Sequence, residues 1–150
     1  MRLLIIDDSE YKIQSLQAVV KECLGGSETK VAKCFQTGVR VLNEFKPDLV
    51  LLDMSLPTSE RSDGELEGRT RIFGGKDILA EMKFEGIKSK VVVVTQFDHF
   101  GEPPNSINLE TLLSQLKNSF PELYAGGVYY SNVDASWREK LRAILQAIKQ

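Results

Sequence analysis

The segment Lys46-Pro-Asp-Leu-Val-Leu-Leu-Asp53-Met-Ser-Leu-Pro57 constrains this chain more than any other. A turn leads into an unbroken apolar run, and a carboxylate stands where the run stops. Such a run between turn signals suits a strand buried on both faces, as in a parallel sheet covered by helices. In those sheets ligands bind outside the carboxyl ends of the strands, where Asp53 would stand. The N-terminus carries a matching piece: Leu3-Leu-Ile-Ile6 is another short apolar run, and it ends in Asp7-Asp8. If the two strands are neighbours, three carboxylates converge at one sheet edge.

The rest of the chain alternates in the same way. A helix of about residues 10–24, capped by Ser9, would bury Ile13, Leu16, Val20 and Leu24 and end at Gly25-Gly26. Strand 2 is expected at Lys30–Phe35, and a short helix at about Gly38–Phe45. Strand 4 is Val91-Val-Val-Val-Thr95, four β-branched residues followed by a hydroxyl. Strand 5 is expected at Val128–Ser131, and a last helix at about Ser136–Lys149 with a Ser136…Glu139 capping box. Strands alternating with helices predict an α/β fold, a doubly wound parallel sheet with right-handed crossovers. Two segments interrupt that rhythm: a polar, Gly-rich stretch at 58–75 and a loop at 97–106 containing Pro103-Pro104, which rules out helix there. Helices at about Lys76–Phe84 and Asn108–Phe120 follow them.

With 150 residues the chain is read as one domain. A net charge of −2 provides no basic field for nucleic acid or anionic membrane. No apolar run approaches the ~20 residues that cross a bilayer, and no signal-peptide pattern precedes the first strand. A cytoplasmic protein without nucleic-acid or membrane partners is the expectation. Cys23, near a helix end, and Cys34, in the expected strand 2, read as reduced, mostly buried thiols.

The acidic pair Asp7-Asp8, Asp53, the Lys46-Pro-Asp entry to its strand, Pro57 and Thr95 together resemble the receiver domains of two-component response regulators. The resemblance spans essentially the whole chain. It implies a five-stranded sheet in the flavodoxin-like order 2-1-3-4-5 with helices on both faces. It also implies that Asp53 accepts a phosphoryl group from a histidine kinase or a histidine phosphotransfer protein. Such a chain is a phosphoacceptor rather than an enzyme, at most dephosphorylating itself slowly, and acts by docking on a downstream protein, relaying the group or draining it as a sink. Clustered carboxylates repel unless a cation neutralises them. Mg²⁺ suits them because it takes one or two carboxylates and keeps its waters; Mn²⁺ is the alternative. By resemblance, Asp8, Asp53 and the Ser55 carbonyl ligate the metal directly, Asp7 does so through water, and the Thr95 hydroxyl bonds a phosphoryl oxygen.

The chain departs from the family at strand 5, where a lysine pairs with the phosphoryl group. No lysine lies between Lys117 and Lys140; threading places Ser131 there, or Asn132 or Val133 after a small shift. Gln96 is bulkier than the small residue usual after Thr95. Arg69, Arg71 or Lys76, in or just after the 58–75 segment, could supply the missing charge; a solvated loop is the plainer reading. His99 reads as a surface residue. Tyr129 and Tyr130 alternate faces, one inward and one outward; by resemblance an aromatic here reports phosphorylation. Two alternatives stay open: a pseudo-receiver that binds partners with little phosphorylation, and a flavin-binding flavodoxin-like protein. The acidic Asp7-Asp-Ser-Glu10 loop is a poor phosphate cradle and speaks against the second.

Overall fold

The computed structural model describes residues 1–60, 63 and 65–149. Five parallel strands form the central sheet: β1 (Arg2–Ile6), β2 (Glu28–Ala32), β3 (Leu49–Leu52), β6 (Lys90–Thr95) and β9 (Tyr124–Tyr129). Their order is β2-β1-β3-β6-β9, the flavodoxin-like arrangement once the strands outside the sheet are set aside. Between them run α1 (Glu10–Cys23), α2 (Phe35–Phe45), α3 (Gly74–Glu85), α4 (Leu109–Ser119) and α5 (Ser136–Lys149).

Alternation along the central strands builds two cores. Leu4, Ile6, Val50, Leu52, Val91 and Val93 face α2, α3 and α4. Leu3, Ile5, Leu49, Leu51, Val92 and Val94 face α1 and α5, joined by Leu16, Val20, Trp137 and Leu141. β3 is buried along its entire length, as its unbroken apolar run requires. Ser9 caps α1, its hydroxyl accepting from the Lys12 N–H, and the expected apolar residues Ile13, Leu16, Val20 and Leu24 are all buried.

Several expected boundaries move. β2 ends at Ala32, so Cys34 lies outside the strand, at the N-cap of α2, and α2 starts three residues earlier than expected. Edge strand β2 pairs with β1 alone among the described residues and is fully buried only at Ala32, so apolar residues past its end read as strand when they belong to the turn. Strand 5 begins four residues earlier, at Tyr124, because Gly126 and Gly127 give no strand signal. Gly127 lets α4 approach: a Cβ there would lie 2.6 Å from Leu113 Cδ1.

The two interrupting segments are not bare loops. β4 (Leu56–Glu60) and β5 (Leu66–Arg71) pair antiparallel, with Leu56 opposite Arg71. β7 (His99–Phe100) and β8 (Ile107–Asn108) form a smaller ladder around Phe100. β5 is exposed on both faces, so it is held mainly by backbone pairing and carries no hydrophobic period. No helix among the described residues is long and apolar enough to cross a membrane.

Candidate functional site

Period two decides which side of the sheet each acid takes. Asp7 follows Leu3 and Ile5 in phase, and Asp53 follows Leu49 and Leu51, so both fall on the face covered by α1. The Asp53 N–H donates to the Ile6 carbonyl at 2.9 Å, which locks the ends of β1 and β3 together. Carboxylate oxygens of Asp7, Asp8 and Asp53 come within 4.8 Å of one another. Asp7 and Asp53 are buried, and Asp8 stands at the open rim.

A fourth charged group completes the cluster. Lys12, one turn into α1, is 1% exposed. Its Nζ lies 2.7 Å from Asp7 Oδ2 and 3.3 Å from Asp53 Oδ2. The ammonium also donates to the Val94 carbonyl at 2.6 Å, so it touches the ends of three adjacent strands. Sequence reasoning missed this residue. Its signal was its position: Lys12 lies four residues before Leu16, seven before Val19 and eight before Val20, on the apolar stripe of α1. A lysine on such a stripe is buried only if an anion meets it.

The remaining contacts hold the carboxylates in place. Asp7 Oδ1 accepts from the Ser9 N–H at 3.0 Å, and Asp53 Oδ1 from the Met54 N–H at 2.7 Å. Burial pushes the Asp53 carboxyl up to about 7; Lys12 opposes that shift and Asp7 adds to it. Partial burial, then the Asp7 charge, raise Asp8 as well. Thr95 is buried at the end of β6, in phase with Val91 and Val93, and its Oγ1 accepts from the Phe97 N–H at 3.3 Å. Ser55 donates its hydroxyl to the Ile72 carbonyl at 3.1 Å, which ties the residue after Met54 to the turn following β5.

The donor set fits a divalent cation. With all three acids ionised, the single Lys12 ammonium leaves two negative charges uncompensated. Asp7 Oδ2 is fully buried and lacks a hydrogen-bond partner among the described residues; its contact with Lys12 is an ion pair by charge and distance. Hard carboxylate oxygens at a partly open rim suit Mg²⁺ or Mn²⁺.

The other sequence candidates lie elsewhere. Ser131 turns its hydroxyl to the N–H groups of Val133 and Asp134, and Asn132 is exposed. The residue of β9's end that joins the α1 face is Tyr130, not Ser131. Its ring packs on Trp137 with centroids 4.8 Å apart, and Lys12 Nζ lies 5.8 Å from its centre. Tyr129 is the outward partner, 47% exposed. Arg71 does not serve the acids: its guanidinium stacks 4.0 Å from the Phe35 ring centre and pairs with Asp77. Arg69, Lys76, Gln96 and His99 are exposed, with His99 3.1 Å from Asp98.

Comparison with known proteins agrees with this geometry. No protein-family model matches the chain. An uncharacterized protein of Sinorhizobium fredii, y4jR, is 30% identical over 95% of both chains. The Detocs response regulatory protein DtcB of Enterobacter cloacae is 28% identical, covering 94% of this chain and 95% of its own. The response regulator domain of Thermotoga maritima CheB superposes with a TM-score of 0.63 at 17% identity, covering 100% of this chain and 97% of its own. The chain has the fold of response-regulator receiver domains and is similar along nearly its whole length to the response regulatory protein DtcB. Among receivers of the same fold, the Mn²⁺-bound form of response regulator Rcp1 matches with a TM-score of 0.59 at 19% identity, covering 99% of this chain and 91% of its own. On that fold, this chain gathers the acidic cluster at the sheet edge and places its buried cation on a helix.

Proposed function

We propose that this receiver accepts a phosphoryl group on Asp53 from a phosphohistidine, carried by a histidine kinase or a histidine phosphotransfer protein. One observation carries the reading: Asp53 ends a doubly buried strand and lies among two further carboxylates at the switch point of the sheet. The chemistry is in-line displacement. An Asp53 oxygen bonds to phosphorus while the P–N bond breaks, and its electron pair stays on the imidazole, which leaves neutral if its other nitrogen carries a proton. A divalent ion at Asp7, Asp8 and Asp53, with the Ser55 carbonyl, would offset charge on the phosphoryl oxygens. Thr95, at the end of the neighbouring strand, donates its hydroxyl to one of those oxygens without adding repulsion.

The chain then acts as a phosphoacceptor rather than as an enzyme, through contacts with a downstream protein, by relay, or as a phosphate sink in the cytoplasm. Its similarity to DtcB, a response regulatory protein, supports a signalling role of this kind. The test is intact-mass analysis with Mg²⁺ and a small phosphodonor. Wild type gains one acid-labile phosphoryl group, and Asp53→Asn gains none. A gain of equal size in the variant moves the acceptor to another residue. A wild type that gains nothing favours a binding module without phosphochemistry.

A further inference from the structure

We propose that Lys12 is the cation that holds the phosphoryl group on Asp53, supplied from α1 in place of the strand-5 lysine. The inference rests on the phosphoacceptor reading and names the residue that reading lacks. Lys12 Nζ is 3.3 Å from Asp53 Oδ2, so a phosphoryl group bonded to Asp53 would carry its oxygens into the reach of the ammonium. The side chain is nine-tenths and more buried, and the Val94 carbonyl anchors its tip. An ammonium anchored in this way pays little reorganisation when charge develops beside it.

The strand end explains why the lysine can sit on the helix. Tyr130 lies on the same face as Asp7 and Asp53, and its ring is 5.8 Å from Lys12 Nζ. A lysine at position 130 would send its ammonium toward the space that Lys12 already fills. Two ammonium groups there would repel, so one ring and one lysine share the place. The vacancy on the strand and the buried lysine on the helix are two sides of a single exchange. Lys12 also neutralises part of the acid cluster and competes with a metal for Asp7. Replacing it therefore pushes two properties in opposite directions: metal binding gains and phosphoryl transfer loses.

The experiment compares wild type with Lys12→Met, measuring Mg²⁺ affinity by calorimetry and the rate of Mg²⁺-dependent phosphorylation from a small phosphodonor. The variant should bind Mg²⁺ severalfold more tightly yet be phosphorylated about a hundredfold more slowly at saturating Mg²⁺, the scale of one lost charge-stabilising group. Phosphorylation at the wild-type rate would show that Lys12 is only a counter-ion and overturn the inference alone. Joint loss of Mg²⁺ affinity and phosphorylation would show that it only holds the cluster together, which also overturns it. If wild type itself takes no phosphoryl group, the phosphoacceptor reading fails and this inference fails with it. A measurement on wild type guards against a misfolded variant. In protein labelled with ¹⁵N-lysine, the Lys12 ammonium signal, assigned by its loss in Lys12→Arg, should shift when beryllium fluoride, a phosphoryl analogue, is added to the Mg²⁺-loaded protein. An unmoved signal with the analogue bound refutes the role.

Discussion

Lys12 Nζ and Asp7 Oδ2 stand 2.7 Å apart with both side chains sealed from solvent, so a helix is tied by charge to the strand before it. The two residues are close in sequence as well: Ser9 caps α1 between them, and the cap directs the first helical turn back over the end of β1.

Removing the ammonium should therefore cost stability. In EDTA at pH 7, Lys12→Met leaves the buried Asp7 carboxylate without its cation and should lose about 3–5 kcal/mol, the usual scale for breaking a buried pair. Millimolar Mg²⁺ should return part of that loss. Chemical denaturation with and without Mg²⁺ checks both; a neutral substitution would mean the pair is open to water in solution.

Asp53 makes the opposite prediction. Its carboxyl is pushed up to about 7 in the folded protein, against an ordinary value of 3.8. Between those values the folded state binds more protons than the unfolded state, so the metal-free protein should lose stability as pH rises from about 4 to 7. Asp53→Asn removes that penalty while its side-chain oxygen can still accept from Met54. In EDTA it should stabilise the protein by about 2–4 kcal/mol at pH 8 and by little at pH 4. Denaturation curves at the two pH values decide it, and an equal effect at both would contradict the burial argument.

At the rim, Asp8 is the acid with most access to a hydrated ion. Asp8→Ala should weaken Mg²⁺ or Mn²⁺ by about tenfold or more, since losing even an outer partner of a metal site costs that much. Calorimetric titration gives the answer; unchanged affinity would place the metal elsewhere.

Gly75 lies against the backbone of the Asp53 loop and should govern the site. A Cβ there would lie 2.6 Å from the Asp53 carbonyl oxygen and 3.0 Å from Met54 Cα, both backbone atoms that cannot yield cheaply. Gly75→Ala should shift the loop that carries Asp53, cost about 1–3 kcal/mol and slow phosphorylation of Asp53. Thermal melting and intact-mass kinetics on the same sample test the two effects together.

Ser131→Lys should leave the rate of phosphorylation unchanged, because that side chain serves the turn after β9 through the N–H groups of Val133 and Asp134. A clear gain would return the vacant lysine position to residue 131 and unseat Tyr130 from it.

Sequence alone determined the central strands and the acids that end them, because a strand buried on both faces must be apolar throughout and must stop where a charge appears; the strand order was implied only by the family resemblance. Leu49–Leu52 before Asp53 and Leu3–Ile6 before Asp7 carry that rule in one dimension. Thr95 was legible for the same reason, as the hydroxyl closing a run of valines. Boundaries were lost where glycines or exposed residues blur the period, as at Tyr124–Gly127 and in the β4–β5 hairpin. Only the tertiary structure decided where the site's cation comes from. In the sequence the loop arginines look free to act, because their charge lies outside a periodic segment, but Arg71 is stacked on Phe35 and paired with Asp77. Lys12 was hidden inside a helix pattern that its charge interrupts. Burial of a lysine depends on which anions the packing of α1 on β1, β3 and β6 brings to its tip, and that meeting of three strand ends exists only in three dimensions.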